Sequence, residues 1–306
     1  RPLIMRLKTE SWNIDMRIFL IATFTIFLSL NCTGYFASRA SKPIKNSEMH
    51  SIKTEDLTQY YYTLGNKNDP PLVFIHGILA FTQAYRDIIN ELSDRYYIIG
   101  IDLRGHGRST VGDESFSFYQ IAEDIVNVTN AIGIQEFYAV GHSAGGFVLL
   151  SIGKYFPGKI IKGVSIASLY HYDGIDFKKN GHDYLTENGF MDNLFGRNSL
   201  TLDFFDRAHK SMGEEEKFNQ TKQLMMEYGT QLYPSFTRSD LSSINDSILI
   251  IVAEKDKRIK PSHTEEMSKY LPNSELVLIP DATHFSIVRS KKYLGDVTEH
   301  IFQFLD

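Results

Sequence analysis

The sequence predicts an α/β fold, with a mostly parallel central sheet, helices on both of its faces and a helical cap inserted into it. Three observations predict it. Short apolar runs alternate with stretches of helical spacing over residues 71–166 and again over 248–305, and such alternation demands parallel strands joined by crossovers. A strand-like run, Phe137-Tyr138-Ala139-Val140, breaks at once into Gly141-His142-Ser143-Ala144-Gly145-Gly146, a sharp passage from strand into helix. Between about 169 and 245 the alternation stops, and it then resumes.

The chain is long enough for that plan. Its 306 residues, 42% of them hydrophobic, suit one large domain with an insertion or two small ones. A net charge of −5 without a long basic run gives no reason to expect nucleic acid. With Cys32 as the one cysteine, neither an intramolecular disulfide nor a cysteine-built metal site is possible.

The elements follow in order. Met16-Arg17 leads into an apolar run at 18–30, then Asn31-Cys32-Thr33-Gly34. A basic start, a short apolar core and a small-residue exit describe an export signal, too short for a comfortable membrane span. Cys32 resembles the lipid-attachment cysteine of bacterial lipoproteins, although Leu28 lies four residues before it rather than three and Asn31 replaces the usual Gly or Ala. This implies an exported protein tethered to the membrane surface of a bacterial envelope by its N-terminal segment; a soluble secreted or periplasmic form stays open. Met16 reads as a start, with residues 1–15 as an upstream extension. Residues 1–34 thus form the extension and export or anchor segment, and the polar stretch 35–55 a linker.

The core is expected over 56–168 and 246–306. Residues 57–64 read as an early strand, followed by turn chemistry at 65–69 that suggests a hairpin. Buried strands follow at 71–79, ending in His76-Gly77-Ile78-Leu79, and at 96–102, with a helix over 84–92 between them. A helix at 119–132 precedes the Ser143 strand, and further strands lie at 160–166, 248–253 and 275–279, before a closing helix at 293–305. The aromatic, mixed-charge stretch 169–245 reads as the cap, with helices near 200–212 and 214–228, lying over the carboxyl ends of the strands where open α/β sheets bind ligands.

The chemistry starts at Gly141-His142-Ser143-Ala144-Gly145. This Gly-x-Ser-x-Gly spacing holds the serine in a strained conformation with its side chain lifted clear, since a Cβ at either glycine would strike a neighbouring element. A serine hydroxyl needs a base to take its proton, and the base needs a partner to fix its tautomer. Two later strands each run into a loop carrying such a group, Asp256 and His284.

In these motifs, and in the order Ser143, Asp256, His284, the chain resembles the α/β-hydrolase family over about residues 57–306. The resemblance implies the α/β-hydrolase fold with a cap after its sixth strand. It makes Ser143 the nucleophile, His284 the general base and Asp256 the group that orients it, with the backbone amides of Ile78 and Ala144 as the oxyanion hole. His76, Gly77 and His142 would sit beside the substrate, while the rings of His76, His106 and His142 bond loop backbones rather than carry protons. Glu254 and Asp281 are expected to fix loops, and Asp124 to cap or face solvent. The segment 102–109 resembles the family's structural loop after its second parallel strand and lacks phosphate-binding spacing. His171, His182 and His209 lack ligand spacing, so no metal or other cofactor is implied.

Ser143 argues against the epoxide hydrolases and dehalogenases of the family, which carry aspartate there. The implied reaction is hydrolysis of a small carboxylic ester, with an apolar acyl or aromatic substrate favoured by Ile78, Leu79 and the aromatic cap. A carbon–carbon bond hydrolase, lactonase, amidase, peptidase or perhydrolase with the same triad, or a hydrolase-fold protein that binds a ligand without turnover, stays open. No protein partner is implied.

Overall fold

The computed structural model of the protein describes residues 34–54, 57–112, 116–176, 200–228 and 235–306. The apolar run 18–30 read as an export signal, Cys32 and His182 lie outside them. Among the described residues no helix is long and apolar enough to cross a membrane.

Eight strands make one sheet: β1 (Glu48–Lys53), β2 (Thr58–Leu64), β3 (Pro71–Ile75), β4 (Tyr97–Ile101), β5 (Phe137–His142), β6 (Ile160–Ile166), β7 (Ser247–Ala253) and β8 (Ser274–Ile279). Their order across the sheet is β1-β2-β4-β3-β5-β6-β7-β8. β1 and β2 run antiparallel to their neighbours, and every pairing from β4 to β8 is parallel. The predicted α/β fold with a mostly parallel sheet is the fold observed.

Successive side chains point to opposite faces, and both faces of the interior strands β3, β4, β5 and β7 are covered, so these strands are apolar almost throughout, whereas the edge strand β8 is largely exposed. Leu72, Phe74, Val140, Val164, Leu249 and Ile251 pack into one core layer, under α2 (Arg86–Leu92) and α10 (Lys291–Leu305). Val73, Ile75, Ala139, Ile248 and Ile250 pack into the other, under α3 (Phe118–Ala131) and α4 (Ala144–Tyr155). Each such fully buried aliphatic side chain contributes about 1.5–3 kcal/mol relative to exposure. In α10 the buried residues Leu294, Val297, Ile301 and Leu305 form one stripe at helical spacing.

Two expectations fail at the sheet's antiparallel end. The stretch 35–55, read as a linker, contains helix α1 (residues 34–40) and the edge strand β1, which forms a hairpin with β2. Its exposed polar residues mislead because an edge strand buries little, and this one alternates exposed and half-buried positions. The turn at 65–69 leads to β3 without pairing β2 to it; β2 lies instead on β4, Tyr61 opposite Ile101. β3 is an interior strand with both edges taken by parallel neighbours, β4 and β5.

The insertion leaves the sheet after β6 and returns into β7. Its described part holds α5 (Leu200–Ser211), α6 (Glu215–Tyr228) and the short α7 (Arg238–Ser242), which Thr237 and Asp240 close with a reciprocal capping box. Phe205, Ala208, Phe218 and Met225 are buried against the domain. Thr221 Oγ1 donates to the Gly105 carbonyl at 2.6 Å, and the hydroxyls of Ser211 and Ser41 meet at 2.7 Å. The insertion is therefore docked on the β4 loop and on α1. Two short helices, α8 (Pro261–Met267) and α9 (Ser286–Arg289), follow β7 and β8.

Candidate active site

Ser143 stands between β5 and α4 with φ 56° and ψ −126°, a backbone state that costs a serine on the order of 1–3 kcal/mol. The surroundings impose it. Its N–H donates to the Ile166 carbonyl at 2.9 Å, and its carbonyl accepts from Gly146 N–H at 2.9 Å and Ser168 Oγ at 2.7 Å. The flanking glycines are steric necessities. A Cβ at Gly141 would lie 2.3 Å from the Gly145 carbonyl oxygen, and one at Gly145 would lie 2.2 Å from that of Ile75. Ser143 itself is half-buried in an otherwise buried turn.

The loops after β7 and β8 bring Asp256 and His284 to it. Asp256 Oδ1 accepts the backbone N–H groups of Arg258 at 2.8 Å and Ile259 at 3.0 Å, so its own loop aims the carboxylate. Asp256 Oδ2 lies 2.7 Å from His284 Nδ1, and His284 Nε2 lies 3.1 Å from Ser143 Oγ. A carboxylate accepts, so Nδ1 carries the proton of the neutral ring, and the Nε2 lone pair faces the hydroxyl. Asp256 and His284 are both buried. The three residues expected to converge do so, with His284 within hydrogen-bond reach of both Asp256 and Ser143.

Beside Ser143 lie the amides of Ala144, the first residue of α4, and Ile78, in the loop after β3. Neither donates to a partner among the described residues. Leu79, next in that loop, is fully buried with φ 60°, a second strained position at the same rim.

Two residues expected beside the substrate are placed otherwise. His76 is fully buried; its Nδ1–H donates to the Gly77 carbonyl at 2.8 Å and its Nε2 accepts from Leu103 N–H at 3.0 Å. His142 is also fully buried, with Nδ1 2.9 Å from Tyr85 Oη and Nε2 2.7 Å from the His284 carbonyl. Neither ring has a free face for substrate, because loop backbones and Tyr85 consume both nitrogens. Burial depresses His76 to about 4. Burial and the adjacent His284 hold His142 well below the ordinary histidine value. Gly77 remains in contact with the site, since a Cβ there would come within 3.2 Å of Ser143 Cβ.

The other acids sort as loop fixers. Glu254 Oε2 accepts the Asp281 N–H at 2.9 Å. Asp102 accepts the amides of Thr82 at 2.9 Å and Arg108 at 3.0 Å, and burial raises its pKa. Asp124, expected to cap or face solvent, is instead buried and grips Arg104 through two bonds of 2.6 and 2.8 Å. No local signal marks this pair: Arg104 stands in a polar, glycine-rich loop and Asp124 follows Glu123 on a mixed helix, although a charge survives burial only when partnered. Tyr85 carried no signal at all.

A family model described as the alpha/beta hydrolase fold matches residues 70–289. The uncharacterized hydrolase YugF of Bacillus subtilis is 23% identical over 281 residues, covering 85% of this chain and 98% of the relative. Epoxide hydrolase 4 of Mus musculus is 27% identical over 113 residues, covering 36% of this chain and only 32% of that protein. Among solved structures, carboxylesterase CesB from Bacillus subtilis superposes with a TM-score of 0.68 at 19% identity, over 90% of this chain and 98% of that one.

Proposed function

The chain belongs to the α/β-hydrolase fold family and is a hydrolase of that fold, and from that premise we propose that it cleaves carboxylic esters through an acyl-enzyme on Ser143. His284 Nε2 takes the hydroxyl proton as Ser143 Oγ attacks the ester carbonyl. The negative oxygen of the tetrahedral intermediate accepts from the Ile78 and Ala144 amides, each such donor being worth about 3 kcal/mol in the transition state. Collapse breaks the ester C–O bond, and His284 returns its proton to the departing alcohol. Water then repeats the sequence, with His284 taking a water proton and delivering it to Ser143 Oγ as the acid leaves. Asp256 keeps the ring in the tautomer that these transfers need and stabilises its cation.

The observation that carries the reading is the single imidazole lying 3.1 Å from Ser143 and 2.7 Å from Asp256. Serine, where the aspartate-dependent members of the family carry their nucleophile, argues against epoxide opening despite the likeness to epoxide hydrolase 4. The fold neighbour CesB is a carboxylesterase by its name, which agrees with the reading. The half-buried Ile78 and the aromatic residues of the insertion favour an apolar acyl or aromatic ester. A p-nitrophenyl ester panel tests the proposal: the wild type should hydrolyse at least one member and Ser143→Ala should not, whereas equal rates would exclude the acyl-enzyme. Attachment to a membrane surface through the 18–32 segment is a separate proposal, supported by the sequence pattern and tested by mass spectrometry of the mature N-terminus.

A further inference from the structure

We propose that Tyr85 and His142 are positioning residues, a buried relay that ties the loop holding Ile78, the turn holding Ser143 and the backbone of His284 into one unit. The proposal deepens the serine-hydrolase reading and rests on it. These three pieces come from the loop after β3, the turn after β5 and the loop after β8, segments far apart in sequence. The relay runs through all of them. Gly77 N–H donates to Tyr85 Oη at 3.0 Å, Tyr85 Oη meets His142 Nδ1 at 2.9 Å, and His142 Nε2 meets the His284 carbonyl at 2.7 Å.

Elementary chemistry fixes the direction of each bond. The His284 carbonyl can only accept, so His142 Nε2 carries the proton. The neutral ring then has an acceptor at Nδ1, which among the described residues the Tyr85 hydroxyl fills. The hydroxyl, having donated, still has a lone pair for the Gly77 amide. Every member of the chain is satisfied in one arrangement only: a proton on His142 Nδ1 would leave the Tyr85 hydroxyl hydrogen without its acceptor. Burial and the neighbouring His284 disfavour that proton.

The geometry also limits slack. His142 is covalently next to Ser143, and its ring centroid lies 4.8 Å from that of His284. Gly77 immediately precedes Ile78, and a Cβ on it would meet both Tyr85 Oη at 3.0 Å and Ser143 Cβ at 3.2 Å. Tyr85 is itself fixed, fully buried at the end of the 3-10 turn Thr82–Tyr85 and packed on Phe74 at 5.2 Å. Neither Tyr85 nor His142 is positioned to touch substrate. They act by holding the amide donor and the base at one separation from the serine, and a misplacement near 1 Å costs on the order of 100-fold in rate.

The experiment uses the full chain with an ester substrate, active sites titrated by a fluorophosphonate, and thermal melts recorded alongside. Tyr85→Phe removes one oxygen. The relay predicts kcat per titrated site lower by about 10- to 100-fold, KM within about 2-fold, and a folded protein. His142→Gln keeps one donor and one acceptor, so it should retain more kcat than His142→Leu, a rescue that simple filling of space does not produce. Combining Tyr85→Phe with His142→Leu should cost little beyond His142→Leu alone, because both cut one chain. A labelled wild type whose Tyr85→Phe variant keeps its kcat, or a double variant whose losses multiply, overturns the relay alone. A wild type that the fluorophosphonate leaves unlabelled overturns it together with the nucleophile reading.

Discussion

Asp256 and Asp124 are both buried carboxylates, and each holds a nitrogen partner at 2.6–2.8 Å with scarcely any solvent at either side chain. Burial and distance do not tell them apart. The partner does. Asp124 grips Arg104, whose guanidinium never gives up its proton, and the pair clamps the loop after β4 to α3. Asp256 grips His284, whose ring can exchange a proton at its far nitrogen, and that nitrogen faces Ser143 at the carboxyl ends of the parallel strands. One carboxylate stabilises a shape; the other is arranged to stabilise a charge that appears and disappears.

The sharpest contrast comes from Ser143→Ala, expected to lower kcat for an ester by on the order of 10⁴-fold or more while leaving the melting temperature nearly unchanged. Asp256→Asn comes next, with a loss of on the order of 10³- to 10⁴-fold, because an amide at that position favours the ring tautomer whose Nε2 already carries hydrogen. Chemical denaturation of the same variant should show only a minor change in stability.

Asp124→Asn should invert this pattern. Leaving Arg104 buried beside a neutral amide is expected to cost about 3–5 kcal/mol of unfolding free energy, with kcat per titrated site held within about 2-fold. Replacing Arg104 and Asp124 together by apolar residues should recover much of that stability. A large fall in kcat per site for Asp124→Asn would dissolve the distinction.

How much of this the sequence displayed depends on whether the signal was local. The turn around Ser143 and the apolar runs of the interior strands are written in contiguous residues, the order of Ser143, Asp256 and His284 is read from three such local motifs, and the fold built from them is the one found. The position of β1 was hidden because an edge strand with few buried side chains looks like a linker. The Arg104–Asp124 pair spans two elements, and the Tyr85–His142 relay four chain segments, so neither leaves a periodicity to read. The histidines at 76 and 142 are recognisable as motif members, but only in the folded chain are their nitrogens seen to be spent on loop backbones and Tyr85.

The smallest effect concerns pH. Burial lowers His76 to about 4, and His106 and His209 to about 3. Unfolded, each would titrate near 6.5, so below that pH the unfolded chain binds more protons than the folded one. Stability from these groups is present above 6.5 and falls with acidification, down to about pH 4 for His76 and about pH 3 for His106 and His209, each histidine accounting for about 1 kcal/mol by pH 5.5. Melting curves at pH 7, 6 and 5 check this, and His209→Gln should flatten the decline by one histidine's share.

The most direct test of the account is peptide mapping after fluorophosphonate treatment of the native chain, with His284→Ala alongside. The account predicts one adduct per chain, on Ser143, and labelling slowed by orders of magnitude when His284 is replaced. An adduct on another residue, or equal labelling in the two proteins, would contradict it.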